Sequence, residues 1–134
     1  IIPLRPEQLK NLLHKHAEVA DQILLHLVSS IRELTERVVE LSTLGVKARV
    51  DVELLRLARA NRNSDGNSAT IREKHDAIAN KVSTTREAAT REIGELVKLG
   101  VVKKGERKGG PIEIPDIELF EHTITEKLND ERLR

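Results

Sequence analysis

The chain has 134 residues, 34% of them charged and 38% hydrophobic, with a formal net charge of +1, a length that suits one compact domain or two small pieces. It has no cysteine and one aromatic residue, Phe120, which excludes disulfides, thiolate zinc sites and cysteine nucleophiles and argues against a base-stacking platform or an aromatic-lined pocket. No apolar run approaches the roughly 18–20 residues of a membrane span and no signal-peptide pattern is present, so the expectation is a helical, cytoplasmic protein, no membrane partner, and (from the opening Ile1-Ile2-Pro3 without Met) a piece of a longer one.

In chain order, Leu4-Arg5-Pro6-Glu7-Gln8 leads into a short amphipathic helix carrying Leu9, Leu12 and Leu13, with Pro6 near its start. From about Ala17 to Leu44 there is neither Gly nor Pro. Here Leu24, Leu27, Ile31, Leu34, Val38 and Leu41 alternate spacings of three and four. With Leu24 as position a, this heptad places Leu, Ile and Val at a and Leu throughout at d, the pattern of a parallel two-stranded coiled coil. The plainer alternative is one stripe packed inside a bundle. A homodimer is the expected assembly, because so regular a seam exceeds what a monomer needs. Gly45 then marks a break or hinge. A helix over about Val46–Ala60 follows, burying Val50, Leu54, Leu57 and Ala58, and the run from Asn61 to Ser68 reads as a surface loop.

Two helical stretches come next, about Arg72–Val82 and Thr85–Leu99, separated by Ser83-Thr84. Ile78, Val82, Ala89 and Ile93 supply the apolar positions, and Ala79 is a small residue where two helices can approach. This is helix-turn-helix spacing, in which the second helix enters the DNA major groove. Gly100 closes that helix as a C′ glycine. Val101–Lys104 and Pro111–Ile114 then read as two short strands around a Gly-rich basic turn, a β-hairpin wing. Lys103, Lys104, Arg107 and Lys108 of the wing are suited to phosphates. Charge is a mild pointer to a polyanion partner, with an ordinary solvated surface as the plain alternative: residues 70–110 carry 10 Lys/Arg against 6 Asp/Glu, whereas residues 111–134 carry 3 against 7. The acidic tail suggests a short helix around Ile117–Leu128 with Phe120 turned inward.

The start of the second helix holds the candidate chemistry. Thr84 and Thr85 offer hydroxyls and amides at a helix N-terminus, suited to a phosphate and equally to capping. Arg86, Glu87, Thr90 and Arg91 share one face. Arginine can bond guanine and glutamate can accept from cytosine, so these residues are candidate base contacts. A surface Glu87–Arg91 pair, worth only about 0.2–0.5 kcal/mol, is the plain alternative.

The run Thr84-Thr85-Arg86-Glu87-Ala88-Ala89-Thr90-Arg91-Glu92-Ile93, with Leu96 and Leu99-Gly100-Val101-Val102, resembles the DNA-binding domain of the bacterial cyclic AMP receptor protein (Crp/Fnr) family. Upstream, Arg32–Leu41 and Val46–Val50 resemble that family's dimerisation helix and the helix after its hinge, and Leu9–His26 resembles the helix closing its effector-binding β-roll. The resemblance implies a mainly α fold with a small β-hairpin wing: residues 1–45 as the end of an effector domain plus the long dimerisation helix, and residues 46–134 as a winged helix-turn-helix. It implies base contacts from Arg86, Glu87 and Arg91, phosphate contacts from Thr84, Thr85 and His75, and a palindromic site built on TGTGA. Double-stranded DNA is the implied partner, with RNA polymerase a further candidate. The family's paired effector-facing hydroxyls correspond to Leu34 and Thr35, so one hydroxyl remains. The family's turn glycine is Ser83, which must then take a positive φ at about 1 kcal/mol. No cofactor is expected in this chain, and a cyclic nucleotide or other small effector would belong to the parent protein.

An enzyme is not expected: the His residues lack companion ligands at metal-binding spacing and no phosphate-binding loop follows a strand. A coiled-coil and winged-helix module that binds protein instead of DNA is the alternative, and steep salt dependence would separate the two.

Overall fold

The computed structural model describes residues 3–105 and 110–133. The chain forms two compact units, Ile1–Val39 and Glu40–Arg134.

The first unit is helical. Pro6 occupies the opening turn of α1 (Pro6–Lys15), where its missing amide hydrogen has no intrahelical partner to lose, and the Arg5 amide donates to Gln8 Oε1 at 3.1 Å. The chain leaves helical geometry at His16 (φ −130°, ψ 84°) and resumes as α2 (Ala17–Thr43). The stretch Leu9–His26, matched above to one helix, is therefore two. At about 1.5 Å per residue α2 is about 40 Å long, and it runs on into the second unit. None of its residues is buried.

The second unit begins within the last turns of α2. Helix α3 (Val46–Ala60) starts at Gly45, whose φ of −64° and ψ of 165° are open to any residue. The helix has the expected bounds, and Val50, Leu54, Leu57 and Ala58 are all buried. Arg49 spans the break after α2, its guanidinium donating to the Leu44 carbonyl at 3.0 Å and to the Val82 carbonyl at 3.1 Å. Arg56 likewise bonds Glu40 and the buried Glu53, each at 2.7 Å.

Beyond the Asn61–Ser68 loop the sheet contains a strand that the sequence reading passed over, β1 (Ala69–Ile71). Helices α4 (His75–Lys81) and α5 (Arg86–Lys98) follow, then β2 (Lys103–Lys104), β3 (Ile112–Ile114) and α6 (Ile117–Arg132). The sheet order is β1-β3-β2, antiparallel throughout, with Ala69 opposite Ile114 and Lys104 opposite Ile112. Ala69, Ile71, Ile112 and Ile114 turn inward. Because β1 takes Ile71, α4 starts three residues later than its apolar pattern suggested. The core joins these strands to Ile78 of α4, Ile93 and Leu96 of α5, and Ile117, Phe120 and Ile124 of α6. A buried Ile or Phe side chain contributes about 1.5–3 kcal/mol. Helix α6 is capped by Asp116, which accepts from the Leu119 amide at 2.9 Å, and continues four residues past its expected end.

Candidate nucleic-acid interface

The link between α4 and α5 is a close reversal made by hydrogen bonds. Val82 ends α4, and Ser83 takes φ 52°, the left-handed conformation that the missing glycine required. The Ser83 amide bonds the Asn80 carbonyl at 3.3 Å and the Thr84 amide bonds the Ala79 carbonyl at 3.0 Å. That pair of bonds is the Schellman arrangement, which satisfies the last carbonyls of one helix while aiming the chain into the next. Buried Ala79 and Ala89 keep the helices close.

Thr85 then caps α5, its Oγ1 accepting from the Ala88 amide at 3.2 Å. The amides of Arg86 and Glu87 in the first turn have no partner within the helix. With the positive end of the helix dipole they form an anion-attracting terminus. Arg86, Glu87 and Arg91 are exposed, while Ala89, Glu92, Ile93 and Leu96 face inward. The ion pair here is Arg86 Nε to Asp76 Oδ1 at 3.5 Å between two largely exposed side chains, worth little in water. It links the recognition-helix start to α4, whereas the anticipated alternative joined Glu87 to Arg91.

Thr90 departs from the other three face residues. It is half-buried and its hydroxyl lies 2.9 Å from His75 Nδ1. His75, half-buried at the start of α4, is held below the usual imidazole range by burial and then by the positive charges of Lys104 and Arg86, with Asp76 opposing. Those influences place one residue from the wing, one from α4 and one from α5 around a single spot. Lys103 and Lys104 of β2 are both exposed. The wing is pinned where it starts: the Gly105 amide donates to the Pro111 carbonyl at 2.9 Å, and a Cβ at Gly105 would meet Pro111 Cδ at 2.9 Å. Arg107 and Lys108 lie outside the described residues.

The seam residues of α2, Leu24, Leu27, Ile31, Leu34, Val38 and Leu41, are 44–64% exposed. Of the two positions that the resemblance matched to the family's effector-facing hydroxyls, Leu34 is exposed and Thr35 turns its hydroxyl back to the Ile31 carbonyl at 2.8 Å.

Sequence reasoning missed the inner side of the recognition helix. Glu92 is buried and accepts from Lys127 Nζ of α6 at 2.6 Å; the same ammonium donates to Asp51 of α3 at 2.5 Å. Acidic residues at apolar positions on two helices were the available signal, and it needs the fold to pair them with a lysine 35 residues away from Glu92 and 76 from Asp51. Among the described residues no group of three His, Asp or Glu could hold a metal ion, and no helix is long and apolar enough to cross a membrane.

Comparison with known proteins agrees with this geometry. Residues 48–123 match the Crp-like helix-turn-helix domain. The transcriptional regulator SdrP of Thermus thermophilus is 28% identical over 101 residues, covering 75% of this chain and 48% of SdrP. The chain thus spans about half the length of the curated relative it matches. Among solved structures, TTHA1359, a Crp/Fnr-family transcriptional regulator from Thermus thermophilus, is 26% identical with a TM-score of 0.69, over 82% of this chain and 56% of that one. FixK2 from Bradyrhizobium japonicum shares the fold with a TM-score of 0.71 at 15% identity, over 89% of this chain and 58% of that one.

Proposed function

Because the chain belongs to the Crp-like helix-turn-helix domain family, we propose that it is the DNA-reading part of a dimeric transcription regulator. One observation carries the reading. Arg86, Glu87 and Arg91 stand exposed on a helix whose opposite face is buried, with His75 against Thr90 of that helix and the charges of Arg86 and the wing lysine Lys104 both acting on its imidazole.

In this reading α5 enters the major groove. Arg86, Glu87 and Arg91 meet base edges, and Thr90 joins them by releasing His75. Thr84, Thr85 and the first-turn amides take a phosphate, with His75, Lys103, Lys104, Arg107 and Lys108 on neighbouring ones. Residues 1–45 serve assembly and residues 46–134 serve DNA. Two α2 helices pair along Leu24–Leu41 and set two recognition helices about 34 Å apart, one turn of DNA. Gly45 is the hinge of the parent protein, whose effector, a cyclic nucleotide or another small molecule, acts through the region of Leu34 and Thr35. RNA polymerase is a further partner of the assembled regulator. The chain has no catalytic role.

The test is fluorescence anisotropy with a labelled duplex carrying TGTGA and its inverted repeat, beside a scrambled duplex. Tighter binding to the palindrome is expected. A dimer making 6–10 phosphate contacts loses about 10³–10⁵ in affinity between 50 and 200 mM salt. Salt-insensitive binding, or none to either duplex, overturns the reading in favour of a protein-binding module.

A further inference from the structure

The inner side of the recognition helix is held by a buried ionic cluster that the DNA reading does not use. Asp51, Glu92 and Lys127 come from α3, α5 and α6, the three helices that meet behind the reading face. Both carboxylates are nearly fully buried, with relative exposures of 1% and 3%. One ammonium serves both, so the cluster carries a net charge of −1 when both are ionised. Asp51 Oδ1 is buried with no hydrogen-bond partner among the described residues, an unsatisfied acceptor of the kind that proteins rarely keep.

We infer that Asp51, Glu92 and Lys127 form a proton-dependent clamp that positions the recognition helix, so that affinity for DNA follows the protonation of Asp51. The inference rests on the DNA reading above. When Asp51 takes a proton, the cluster becomes neutral and the carboxyl groups of α3 and α5 no longer repel across one cation. When Asp51 is ionised, two like charges from α3 and α5 face each other across one cation, and the seat of α5 loosens. Burial pushes the Asp51 carboxyl up to about 7; Lys127 opposes this, and Glu92 adds to it both by its charge and as a hydrogen-bond partner. Burial also disfavours the Lys127 charge, but the bonds to Asp51 and Glu92 outweigh it and raise its pKa, keeping it a cation.

The charged surroundings can be named element by element. Lys127 faces Asp51 from α6 and Glu92 faces it from α5. Glu95 of α5 lies within reach of Lys127 and of Lys47 of α3. Helix α4 directs Lys81 to Glu53 instead, at 3.8 Å. The sign follows from linkage. The folded state binds the Asp51 proton at higher pH than the unfolded chain, so the stability this proton contributes is full below about 3.8, falls as pH rises from there and is gone above about 7, while the clamp itself is lost as pH rises through about 7.

Two measurements on the full chain test this. In the first, the Asp51 carboxyl carbon and the amides of Arg86–Ile93 are followed by NMR from pH 5.5 to 8.5, on a His75→Gln background that removes the neighbouring imidazole. A shared midpoint is expected, and Asp51→Asn should abolish the amide titration. A carboxyl that stays ionised across this range overturns the inference without any need for a variant that folds, as does an amide titration that persists in Asp51→Asn. In the second, anisotropy with the labelled TGTGA palindrome at constant salt should show about fivefold tighter binding at pH 6 than at pH 8. The difference should persist in His75→Gln and vanish in Asp51→Asn. Duplex binding that is equal at the two pH values overturns the clamp and leaves the DNA reading standing. No binding at either pH overturns the DNA reading and the clamp's role in it.

Discussion

Helices α2 and α3 are built from similar residues and use them in opposite ways. Helix α3 has 15 residues and buries seven, among them Val50, Leu54 and Leu57. Helix α2 has 27 residues and buries none, although Leu24, Leu27, Ile31, Leu34, Val38 and Leu41 follow a stricter apolar spacing. The difference is one of partners. The stripe of α3 meets α4, α5, α6 and the sheet within its own chain. The stripe of α2 stays open over a length that ordinary monomers rarely leave exposed, and its regularity at 3.5-residue spacing suits a copy of itself.

That contrast can be broken most forcefully from the α3 side. Phe120→Ala removes the largest buried side chain against α3 and should lower stability by about 3–5 kcal/mol in urea denaturation. Leu34→Asp should leave the same transition within about 0.5 kcal/mol when it is measured on monomer. Its effect should instead fall on assembly, reducing the sedimenting species from dimer to monomer. If Leu34→Asp unfolds the second unit, the two helices do not divide their labour in this way.

Arg86→Ala comes next, with an expected loss of about 1–3 kcal/mol on the preferred duplex and little on a scrambled one. Equal losses on both would reduce Arg86 to a phosphate contact. Ser83→Gly should raise the thermal midpoint, because it relieves the left-handed serine by about 1 kcal/mol. A fall in the midpoint would mean that the serine hydroxyl matters more than its backbone. The smallest effect belongs to Gly45→Ala. Gly45 has ordinary φ and ψ and an added Cβ would meet only Glu131 at 3.9 Å, so a gain of about 0.4–1 kcal/mol is expected. Unchanged DNA affinity alongside that gain would show that the break after α2 does not depend on glycine.

Much of this was legible in the sequence because it rests on short-range rules. The bounds of α3, the capping Thr85 and the closing glycine Gly100 with φ 78° each follow from residues within a few positions, and the positive φ of Ser83 follows from the resemblance, whose turn glycine it replaces. What escaped was decided by distant chain. Ala69-Thr70-Ile71 is too short to show alternation and becomes a strand only because β3 pairs with it. Arg72–Lys74 carry no signal that separates a helical turn from a connector. Thr90 shares a helical face with Arg86 and Arg91, yet His75 claims its hydroxyl across the α4–α5 junction. Nothing near Glu92 in the sequence marks it for burial, and only Lys127, supplied by a net acidic tail, explains it. The tail's helix and the inward Phe120 were expected, whereas the burial of Ile117 and Ile124 beside it was not singled out.

Arg49 gives the break after α2 a character of its own. One planar guanidinium closes two carbonyls, Leu44 at the end of the long helix and Val82 at the end of α4. A large shift of either backbone end would strain the bond to the other, since both donors sit on one planar fork. The joint and the turn before the reading helix therefore behave as a single mechanical part. Leu44 and Val82 are thus one side chain apart, and shortening that side chain would release both carbonyls at once.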